Sequence, residues 1–84
     1  MQFKLNDPRT EEELMKAAME LEDKEPCYAN SIDEDDVLGF TLFVEFECMI
    51  NGHTGTKSFL RDFRRCTRLV KQFFPHARLM QDPA

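Results

Sequence analysis

The chain has 84 residues, 42% of them hydrophobic and eight of them Phe, with a net charge of −5. That supports one domain with its own core and excludes a disordered chain, and no apolar run comes near the ~18 residues of a membrane span. A domain this small buries only about 60–65% of the surface its unfolded form exposes, so part of its stability is expected to come from self-association.

The first residues, Met1-Gln2-Phe3-Lys4-Leu5, alternate apolar and polar and predict a short strand, broken by Asn6-Asp7-Pro8. They lack the basic-then-apolar pattern of a signal peptide, so the expected location is cytoplasmic. Thr10 with Glu13 makes a capping box, and Glu11 to Glu13 suit the positive end of a helix dipole. Leu14, Ala17, Ala18 and Leu21 follow at helical spacing, and Pro26 stops the helix, which is placed at residues 10–24. Residues 25–36 read as an acidic loop, with Asp33 to Asp36 a run of four like charges that lacks the spacing of a calcium loop.

Val37 to Ile50 predicts the main strand. Phe40, Leu42, Val44, Phe46, Cys48 and Ile50 fall on one face, and Thr41, Phe43, Glu45, Glu47 and Met49 on the other. Asn51-Gly52 is the preferred pair for a two-residue hairpin turn, and His53 to Lys57 would form a short return strand. Ser58 then caps a second helix, residues 58–74, ended by Pro75. Its apolar arc holds Phe59, Leu60, Phe63, Cys66, Val70, Phe73 and Phe74, opposite a basic arc of Arg61, Arg64, Arg65, Arg68 and Lys71. Ala77 to Met80 could add a last strand, and residues 81–84 read as a frayed tail. The expected fold is therefore α+β: two amphipathic helices on one face of a small antiparallel sheet built around a central hairpin, with a βαββα(β) order open.

Charge is divided unevenly along the chain. Residues 1–47 carry fourteen acids and four bases (−10), and residues 48–84 two acids and seven bases (+5). This predicts either an internal electrostatic match or two surfaces with different partners.

The residues give little support to chemistry. Three cysteines, an odd count, argue against a disulfide framework, and Cys48 and Cys66 sit in apolar stripes. Cys27, Cys48, His53, Cys66 and His76 lack the close pairs of a zinc site. No phosphate loop or nucleophile elbow occurs. A pairing of Cys48 with His53 has no orienting third group. The expectation is thus a non-enzymatic module without cofactor or metal, acting by protein–protein contact as a regulator, adaptor or inhibitor, of the kind phages and mobile elements encode. Phe43, Glu45, Glu47 and Met49 are the candidate contact residues, facing a protein partner or a second copy in a homodimer. The alternative is nucleic-acid binding through Arg61, Arg64, Arg65, Arg68 and Lys71, which the net acidity and the lack of interleaved aromatics disfavour.

Overall fold

A computed structural model describes residues 1–37, 39–51 and 55–80 of the chain. Its elements run β1 (Gln2–Lys4), α1 (Glu11–Lys24), β2 (Cys27–Asp35), β3 (Gly39–Phe46), α2 (Glu47–Asn51), α3 (Thr56–Phe73) and β4 (Arg78–Leu79). The four strands form one antiparallel sheet in the order β2-β3-β1-β4. With the short α2 set aside, this is the βαββαβ order of a ferredoxin-like split, in which each βαβ unit encloses a strand from the other. The α+β expectation holds.

Local sequence explains α1 completely. Glu13 donates its backbone N–H to Thr10 Oγ1 at 3.3 Å, and Thr10 donates its own backbone N–H to Glu13 Oε1 at 3.4 Å. Leu14, Ala17, Ala18 and Leu21 are its buried residues, as their spacing predicts. They meet Phe3 from β1 and Leu5 just after it, Leu42, Val44 and Phe46 from β3, and Cys66, Val70, Phe74 and Ala77 from the C-terminal third in one core.

The hairpin is not where Asn51-Gly52 would put it. Residues 27–35, read as an acidic loop, form β2, and the tight connection joins β2 to β3. Asp35 pairs with Gly39 across it, Asp35 Oδ1 accepts the Val37 N–H at 2.8 Å, and Gly39 takes φ 75°. A short polar side chain that bonds two residues on, followed by glycine in the left-handed region, is a turn signal of its own. The main strand also stops at Phe46, and Glu47 to Asn51 turn into α2. Neighbours explain the stop: Phe46 pairs with Cys27 at the beginning of β2, and Glu47 donates its N–H to the carbonyl of Pro26. On the other side, the β1 register begins with Gln2 opposite Phe43. Beyond Phe46 a strand would have no ladder on either side, and helix satisfies its backbone groups internally. Gly52 of the expected turn and His53 and Thr54 of the expected return strand lie outside the described residues, and Thr56 and Lys57 belong to α3. The tail, residues 81–84, also lies outside them.

The β1–α1 loop is tied to the end of α3 through Arg9. Its guanidinium donates to Asp7 Oδ1 at 2.9 Å, to Asp7 Oδ2 at 2.8 Å and to the Phe73 carbonyl at 2.8 Å, and lies over the Phe74 ring at 5.5 Å from the centroid. The Asp7 carboxyl is almost fully buried, and its bond to Arg9 holds its pKa below the ordinary value. No helix among the described residues is long and apolar enough to cross a membrane.

Candidate interaction surface on α3

α3 begins as an arm and ends as a core element. In its second half Cys66 and Val70 are fully buried, and Phe74 just beyond it is too. In its first half Phe59 is 42% exposed and Leu60 43% exposed, with Phe63 half-buried and stacked on Phe59 at 6.2 Å between centroids. Asp62, not an apolar residue, occupies the buried position one turn ahead of Cys66. The predicted apolar arc is real, but the core covers only part of it. The arc spans roughly 140° of the helix, wider than the ~100° stripe a core-facing surface helix needs. That surplus is the sequence signal for an uncovered side.

The uncovered side is an open groove of about 680 Å³. Leu60, Phe63 and Thr67 supply its uncharged lining, and Lys57, Arg61, Arg64 and Arg68 its charge. Helical spacing explains the assembly: residues 57, 60, 61, 64 and 68 recur at i, i+3, i+4, i+7 and i+11, so they line one side of the helix. Arg64, Arg68 and Lys57 make no ion pair among the described residues, and Arg61 has only a 3.5 Å approach to its neighbour Asp62 with its side chain 74% exposed.

Arg65 is different. It forms a close, two-pronged ion pair with Glu25, the residue that caps the end of α1, and reaches Asp62 Oδ1 at 3.5 Å. A side-chain hydrogen bond to Glu25 raises the guanidinium's already high pKa, so Arg65 stays charged. Of the five basic residues expected to act together, Arg65 is thus a tie between helices, and Lys71 lies outside the groove lining. Lys57 and Leu60, expected in a strand and in the core, are groove residues.

The contact set expected on β3 does not stay together. Phe43 and Glu45 lie on the helix-free face of the sheet, where register brings Gln2 and Ser31 beside Phe43 and Ala29 beside Glu45. Glu47 and Met49 are carried off that face by α2, and Met49 packs against the core. The reading that placed all four on one strand face is therefore corrected: the strand ends first. The helix-free face presents Phe43 beside Thr41, Glu45 and Asp33, and β2 also carries the exposed Tyr28 at its bulge. The described residues do not group three His, Cys, Asp or Glu side chains where a metal would be held. His53 lies outside the described residues.

A comparison with family models, with curated proteins and with solved structures finds no match. The chain's own residues carry the functional argument.

Proposed function

We propose that this protein is a non-catalytic binding module that works by protein–protein contact, and that its working surface is the α3 groove. The observation behind this reading is the exposure of Phe59 and Leu60 next to Lys57, Arg64 and Arg68, which make no ion pair among the described residues. Apolar side chains give a partner something to bury, and a rim of one charge steers the encounter and selects a partner of opposite charge. The occupant that fits is an acidic amphipathic segment, with apolar anchors for Leu60 and Phe63 and carboxylates for Arg61, Arg64 and Arg68. Location, biological process and the role of regulator or inhibitor would follow from the identity of that partner.

The second reading, nucleic-acid binding, gains one point from the structure: Phe63 shares the groove with the arginines, so an aromatic is interleaved after all. One titration separates the two. A labelled peptide with Leu and Glu at helical spacing, labelled duplex DNA and labelled single-stranded RNA are each added to the pure protein at two salt concentrations. Peptide binding that is lost in Leu60→Asp and in Arg64→Glu plus Arg68→Glu supports protein contact. Nucleic-acid binding that weakens steeply with salt and tolerates Leu60→Asp would transfer the groove to the second reading. Binding to none of the three would remove α3 as the working surface and return attention to Phe43.

A further inference from the structure

Cys48 sits in the first turn of α2 and Cys66 in the middle of α3, and the two Sγ atoms lie 3.7 Å apart. Cys66 is fully enclosed, and Cys48 is half-buried. The remaining distance to a disulfide bond of ~2.0 Å is about 1.7 Å, a shift two side-chain rotations and a small movement of the short α2 can share.

Two other uses of the pair fit less well. A soft metal would need further ligands, and the described residues offer no group of three. The positive charge of Arg65, which favours the thiolate form of both cysteines, also disfavours a bound cation. A cysteine nucleophile needs a lowered pKa, whereas burial raises Cys48 and pushes Cys66 up to about 12. We propose that Cys48 and Cys66 are an oxidisable dithiol pair that closes to an intramolecular disulfide, stapling α2 to α3, with a small-molecule disulfide such as oxidised glutathione as the oxidant.

The exchange balances without any other reagent. Cys48, the more accessible, gives its proton to solvent and attacks one sulfur of the small disulfide, whose other sulfur leaves as thiolate and is protonated. A mixed disulfide now sits on Cys48. Cys66 then loses its proton, attacks Cys48 Sγ and expels the second small thiolate, which is protonated in turn. The protein loses two electrons and two protons, and the small disulfide gains both as two thiols. The raised thiol pKa values, with the Glu25 carboxylate opposing ionisation and Arg65 favouring it, make this a slow exchange at neutral pH. The inference is independent of what the α3 groove binds.

The test uses the full chain under native conditions in glutathione buffers from fully reduced to fully oxidised, quenched by alkylation and read by peptide mapping. The expected product links Cys48 to Cys66, leaves Cys27 alkylated, remains a single chain and melts at a higher temperature than the reduced protein. Cys27→Ser should form the same link, and Cys48→Ser should lose both the link and the rise in melting temperature. Glutathione that stays on Cys48 without closure, links that use Cys27 or join two chains, or thiols that persist in fully oxidised buffer would each overturn the proposal. Should Cys48→Ser fail to fold, the map of the unmodified sequence decides alone.

Discussion

The two halves of α3 share one hydrophobic pattern and have opposite fates. Cys66 and Val70, with Phe74 behind them, are sealed beneath α1 and the sheet, whereas Phe59 and Leu60, on the same predicted arc, are more than 40% exposed. Amphipathicity records where apolar side chains point. What meets them depends on how far the sheet and α1 extend, and here that cover ends about halfway along an 18-residue helix. The difference separates residues that hold the fold from residues left exposed to solvent, and mutation can test that division directly.

The largest effect is expected at the buried end. Phe74→Ala should cost about 3–5 kcal/mol of folding stability, because it empties a fully enclosed site and removes the ring under Arg9. Urea unfolding measures this, and a loss below 1 kcal/mol would mean that the C-terminal half of α3 is not core. Arg9→Ala comes next, at about 2 kcal/mol, since it strands the buried Asp7 carboxylate and the Phe73 carbonyl.

The same loop should respond to acid. Arg9 holds the folded-state pKa of Asp7 below its ordinary value of 3.8, so the unfolded chain takes up the proton first. The Asp7 contribution is therefore fully present above about pH 5 and is lost as pH falls past 3.8 and through the lower folded value. Unfolding followed against pH should show a shallower acid slope in Asp7→Asn than in the unmodified protein. Equal slopes would place Asp7 outside the clamp.

At the exposed end the sign of interest reverses. Leu60→Ser and Arg68→Ala should each change stability by no more than about 0.5 kcal/mol. Each should nevertheless weaken binding of the acidic amphipathic peptide by tenfold or more. If Leu60→Ser instead destabilised the fold as Phe74→Ala does, the contrast between the two halves of the helix would collapse.

Much of the fold was legible because its signals are local. The capping box at Thr10 and Glu13, the core face of α1, the apolar alternation from Phe40 to Phe46 and the stop at Pro75 each depend on a few neighbouring residues. β2 was not legible, because Cys27 to Asp35 has little apolar alternation and becomes a strand by pairing with β3. Asn51-Gly52 misled for a related reason: a good turn pair makes a hairpin only if the strand before it still has neighbours, and β3 runs out of them at Phe46.

The candidate site divides along the same line. Residue order alone determined that Arg61, Arg64 and Arg68 share a helix face and that the chain is acidic in one half and basic in the other. Tertiary structure decided which charges are used internally, because only packing sets Arg65 against Glu25 from the end of α1. It also decided which apolar residues remain open, and it brought Cys48 within 3.7 Å of Cys66 by turning the end of a strand into α2. Periodicity is a property of consecutive residues and can be read along the chain. Coverage depends on elements distant in sequence and on where each one ends, which no single segment encodes.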